Sequence, residues 1–97
     1  MKKGNYIQNI YNLLDEELKM RGTEYEGLLE VYGLLVLTVG EKCTQEHIHD
    51  AWSIWQNKTQ PDHKSLIPFN KLTKEVQELD EPYRLAVIKV ANSLANH

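Results

Sequence analysis

A twelve-residue apolar run, Leu28 to Val39, interrupted only by Glu30, Gly33 and Thr38, sets the terms on which this chain can fold. Crossing a bilayer as a helix takes about 20 apolar residues, so the run belongs inside a protein core. At helical spacing, Leu28, Val31, Tyr32, Leu35 and Val39 make one stripe, and Leu29, Leu34, Val36 and Leu37 widen it almost all round. A helix of that kind is either central to its fold or partly covered by another subunit. Its β-branched residues leave a buried strand over Val31 to Val39 as the alternative. Length and periodicity favour a helix, predicted from Glu24 to Val39.

The rest of the chain supplies partners for that helix. Ile7, Ile10, Tyr11, Leu14 and Leu18 predict a first helix over Tyr6 to Met20, with Asp15, Glu16 and Glu17 on its solvated side. Arg21-Gly22-Thr23 reads as a stop and connector. Gly40 is a stop for the second helix, and Thr44 an N-cap for a third over Gln45 to Asn57. There Ile48, Ala51, Trp52 and Trp55 form the core stripe. Lys58 to Pro68 lacks periodicity and holds Pro61 and Pro68, so it reads as a loop. Lys71 to Leu79 fits a short helix. Asp80 or Glu81 with Pro82 begins a last one, whose buried face is Tyr83, Val87, Val90, Ala91 and Leu94. The expected fold is all-α: one domain over residues 1–97, a bundle of about four helices with a long loop before the last. Residues 5–40 form an N-terminal helical half and 44–96 a second half.

Charge narrows the function. The net charge of −3 argues against general nucleic-acid binding held by counterion release. Residues 1–57 carry the negative excess, five Lys/Arg against nine Asp/Glu, while 58–97 hold six against five. An anionic ligand would therefore prefer the second half. One cysteine, Cys43, cannot form an internal disulfide, and the first residues lack the apolar stretch of a secretory signal. A cytoplasmic protein without membrane association is expected.

Catalytic and metal chemistry find little support. His47 and His49 stand two apart, which on a helix turns them about 200° away from each other. No cysteine or further histidine completes a zinc spacing. His47 and His63 read as solvated surface. Cys43 precedes a helix start, but no base or oxyanion site is nominated beside it, so an inert thiol is expected. The five glycines are scattered singly and form no phosphate loop. The chain is read as non-enzymatic, with no cofactor and no metal. His49, Trp52 and Gln56 share a strip beside the core stripe. Either His49 is an edge histidine packed on a core tryptophan, or the strip walls a small-molecule pocket.

The stretches His47-Ile48-His49-Asp50-Ala51-Trp52, Lys64-Ser65-Leu66-Ile67-Pro68-Phe69-Asn70-Lys71-Leu72 and Gln77-Glu78-Leu79-Asp80 resemble, in order and spacing, the ryanodine-receptor repeat domain. The similarity runs over residues 44–93 and extends to short phage and prophage proteins. Lys64-Ser65 stands where the repeat usually has His-Pro, and Gln77 where it has lysine. In bacteria, related modules accompany defence systems built on nucleotide-derived signals. The resemblance thus implies a ligand-binding role, and for a phage-type chain the sequestration of a host immune signal in the host cytoplasm.

A nucleotide-like ligand would use Trp52 and Tyr83 as stacking faces and His49 and Gln56 as hydrogen-bonding groups. Lys64 and Arg84 would serve its phosphates, with Pro68 and Phe69 returning the loop to the third helix. A homo-oligomer is expected to cover the wide apolar face of the second helix. The competing function is a protein–protein interaction module, such as a phage inhibitor of a host complex, presenting the acidic first helix and the aromatics Tyr6, Tyr25 and Trp55.

Overall fold

A computed structural model describes residues 4–20 and 25–95. Helix α1, Tyr6–Leu18, begins where the Asn5 side chain accepts from the Gln8 N–H at 2.9 Å, and ends at Lys19 in a left-handed conformation. The expected connector Arg21-Gly22-Thr23 lies outside the described residues. Helix α2, Glu26–Thr38, ends as predicted at a glycine: Gly40, at φ +54°, takes the left-handed turn that other residues adopt only with strain. A 3-10 turn, Gly40–Lys42, leads to α3, Gln45–Asn57.

Thr44 caps α3 as predicted. Its hydroxyl accepts from the His47 N–H, and His47 Nδ1 accepts from the Thr44 N–H at 3.0 Å, a reciprocal capping box. His47 is therefore a capping residue and not merely solvated surface. After a loop of turns, a second 3-10 turn spans Phe69–Lys71. A short helix α4, Lys74–Glu78, and the last helix α5, Glu81–Ala95, follow.

The architecture is the all-α bundle expected: four main helices, one short one, and no strand among the described residues. Helix α2 is its centre, packing against α1, α3 and α5. Ile10, Leu14, Ile48 and Val87, one or more from each flanking helix, are essentially inaccessible around the buried Tyr32 of α2. Burying each such aliphatic side chain stabilises the fold by roughly 1.5–3 kcal/mol. Two glycines let the helices close on one another. A Cβ on Gly27 would stand 2.9 Å from the Trp55 ring of α3, and one on Gly33 2.9 Å from the Tyr11 ring of α1. The apolar circumference of α2 exceeds what the chain covers, since Leu34 and Leu37 remain 60% and 47% exposed. Among the described residues no helix is long and apolar enough to cross a membrane.

Candidate ligand pocket

The segment after α3 is pinned back onto that helix by its backbone. His49 is 3% exposed, and its Nε2 lies 2.7 Å from the Ile67 carbonyl oxygen. A carbonyl can only accept, so Nε2 carries the hydrogen. His63 is fixed in the opposite sense: its Nδ1 accepts from the Ser65 N–H at 3.0 Å, which places the hydrogen of the neutral ring on Nε2. Further along, the Gln77 amide donates to the Phe69 carbonyl at 2.9 Å and ties α4 to the loop. The loop thus converges on Trp52. His49 stacks against the indole at 5.7 Å and 26°, and His63 meets it edge-on at 5.1 Å.

This convergence leaves a cavity of about 470 Å³, lined by Tyr25, Leu28, Tyr32, His49, Trp52, Trp55, His63, Ser65, Val76, Leu79, Asp80 and Tyr83. Its size falls in the range of about 300–1,000 Å³ usual for small-molecule pockets. Five aromatic rings and two imidazoles make the wall, with Tyr32 and Tyr83 tilted together at 5.6 Å. Among the described residues, Asp80 is the one acid in the lining, and no lysine or arginine joins it. Burial pushes the Asp80 carboxyl up to about 6, with His49 drawing it back. Burial likewise holds the Tyr32 hydroxyl well above the ordinary phenol range, reinforced by Tyr83, Asp80 and Cys43.

A second, more open depression of about 710 Å³ lies on Cys43, Thr44, Gln45, Glu46, Phe69, Glu78, Glu81 and Arg84. Its cation is already engaged. Arg84 grips Glu81 with two hydrogen bonds, Nε to Oε1 at 2.8 Å and Nη2 to Oε2, while Gln45 donates to the same carboxylate at 2.7 Å. Those bonds, Arg84's first, hold Glu81 down to about 2. Cys43 is a free, buried thiol that burial raises to about 11, partly offset by Arg84.

Family comparison places the chain. A profile described as a domain of unknown function, DUF7701, matches residues 5–92. The chain belongs to the DUF7701 family. The match spans both helical halves, and both contribute to the pocket, Tyr25, Leu28 and Tyr32 from the first. No curated protein and no solved structure matches the chain.

Of the eight residues nominated from the sequence of this DUF7701 domain, His49, Trp52 and Tyr83 line one cavity. Phe69 meets His49 at a tilt, 6.1 Å between ring centroids, but faces the open depression together with Arg84. Pro68 borders a third groove, beside Ile67 and Ser53. Gln56 turns to Gln60 at 3.0 Å, and Lys64 is exposed on the loop. His63, expected at the surface, is half-buried against Trp52. Of the aromatics assigned to a protein interface, Tyr25 and Trp55 line the cavity, while Tyr6 is 68% exposed. Among the described residues no group of three or more His, Cys, Asp or Glu side chains is placed to hold a metal ion.

Proposed function

We propose that this chain is a non-enzymatic module that binds a small planar ligand, the ring of a nucleotide-derived signalling molecule, in the aromatic pocket. The observation carrying this reading is a concave site walled by Trp52, Trp55, Tyr25 and Tyr83 within reach of one carboxylate. Stacking contributes about 1–3 kcal/mol per base, so rings on several sides supply affinity without a phosphate contact inside. The wall is preorganised, since both imidazoles are fixed by backbone hydrogen bonds, which reduces the ordering cost of binding.

The same bonds count against catalysis at this place. Ser53 Oγ lies 3.4 Å from His49 Nε2, but that nitrogen gives its hydrogen to Ile67 and is not a base for the serine. The likeness of residues 44–93 to ryanodine-receptor repeats extends the reading to a phage protein that sequesters a host immune signal in the cytoplasm. A second copy is proposed to cover Leu34 and Leu37 of α2.

Native mass spectrometry of the protein purified from cells with active nucleotide signalling tests the reading. A small-molecule adduct that is lost in Trp52→Ala is the expected result. A co-purifying host protein in its place would favour the inhibitor reading and overturn this one.

A further inference from the structure

The polar groups of the aromatic pocket are unequal, and the difference says which edge of a ring they can hold. His49 Nε2 is committed to the Ile67 carbonyl and His63 Nδ1 to the Ser65 N–H. Asp80 differs from both. It sits between α4 and α5, and its backbone carbonyl accepts from the Arg84 N–H at 3.0 Å, starting the last helix. The Arg84 guanidinium, the cation nearest in sequence, goes to Glu81 instead. Among the described residues no ion pair is made to Asp80. Among the described residues, a half-buried carboxylate therefore borders an aromatic cavity lined by no lysine or arginine, with only the His49 ring drawing on its charge.

Such a group is costly when left unpaired and favourable when met by donors. We infer that Asp80 sets the specificity of the pocket: the ring that fills it turns two adjacent N–H donors, the amidine-type edge that guanine presents, toward the Asp80 carboxylate. This rests on the ring-binding reading above. A carboxylate accepts two parallel N–H bonds, and charge-assisted bonds of this kind are stronger than neutral ones. Guanine offers a ring N–H beside an exocyclic amino group. Hypoxanthine keeps only the ring N–H. Adenine sets a ring nitrogen lone pair there, which the carboxylate repels. The upward push that burial gives Asp80 agrees with a site that gains from a donor partner.

The experiment is calorimetric titration of the full chain with guanosine, inosine and adenosine 5′-monophosphates, which share one phosphate and differ in this edge. The expected order is guanosine, then inosine, then adenosine, with guanosine about 10- to 100-fold tighter than adenosine, the range of one charge-assisted hydrogen bond. In Asp80→Asn the order should collapse while the helical circular dichroism is kept. The gradation in the unsubstituted protein is informative even if that variant folds poorly. Equal binding of all three, or a guanine preference that survives in Asp80→Asn, would overturn the inference and leave the ring-binding reading standing. No binding by any of the three would also overturn it, and the ring-binding reading would then be decided by the mass spectrometry.

Discussion

The two depressions beside α5 are built from neighbouring residues, yet they are opposites. Among the described residues, the aromatic pocket holds stacking faces and one acid with no lysine or arginine beside it. The open depression holds a cation, Arg84, closed on Glu81 and backed by Gln45. Asp80 and Glu81 are adjacent in sequence, but one is raised to about 6 by burial and the other held at about 2, chiefly by Arg84. A charged residue in a cleft thus marks a binding site only when its charge is not already answered within the fold. By that criterion the pocket, and not the Arg84 surface, is where a ligand has most to gain.

The largest effect expected is from Trp52→Ala. Loss of one stacking face should weaken binding of a nucleoside monophosphate by about 1–3 kcal/mol, roughly 5- to 150-fold. Calorimetry with the fold checked by circular dichroism would measure it, and unchanged affinity would remove the pocket from consideration. Next comes the wall's support. Gly27→Val places a side chain against the Trp55 ring, where even a Cβ has only 2.9 Å. It should lower stability by about 1–3 kcal/mol, read as a fall in Tm, and an unaltered Tm would show that Trp55 has room to move.

How far the sequence anticipated these regions differs between them. The helices were legible because burial repeats at 3.6 residues: Ile10 and Leu14, Leu28 and Tyr32, and Val87 and Val90 fall on the stripes expected. Thr44 and Gly40 were legible because caps and left-handed turns demand particular residues. The pocket was legible only in part. Trp52 and His49 could be paired from their spacing on one helix, but His63 lies in a segment without period, and only its contact with Trp52 reveals its place. Tyr32 belongs to the core stripe and to the pocket wall together, and sequence spacing reports only the first. Asp80 carried one visible signal, its position before a helix. That its side chain also borders the cavity depends on how α4 turns into α5.

Smaller effects sharpen the contrast between the two acids. Because the Asp80 pKa in the folded chain lies above its ordinary 3.8, at about 6, the folded state holds the extra proton between those values. Its stabilising contribution is complete below the unfolded value and is lost as pH rises through about 6. Asp80→Asn keeps a residue suited to a helix start and removes that loss. Near neutral pH it should raise stability by about 1 kcal/mol or less, because the group is partly screened by solvent. Thermal denaturation across pH 4–8 would check this, and a variant parallel to the parent throughout would contradict it. The smallest effect belongs to Arg84→Ala. It removes a solvent-accessible pair with Glu81, and ligand affinity should stay within about twofold, as for a surface ion pair. A tenfold loss in calorimetry would transfer the phosphate contact to Arg84.

The choice between the two surfaces can be read directly by ¹H–¹⁵N NMR, because the chain has two tryptophans, both lining the pocket, and Arg84 lies only in the depression. On titration with guanosine 5′-monophosphate, the indole Nε1–H signals of Trp52 and Trp55 should shift and saturate together, with the Arg84 Nε–H signal left in place. A saturating shift at Arg84 while both indoles stay still would contradict the account.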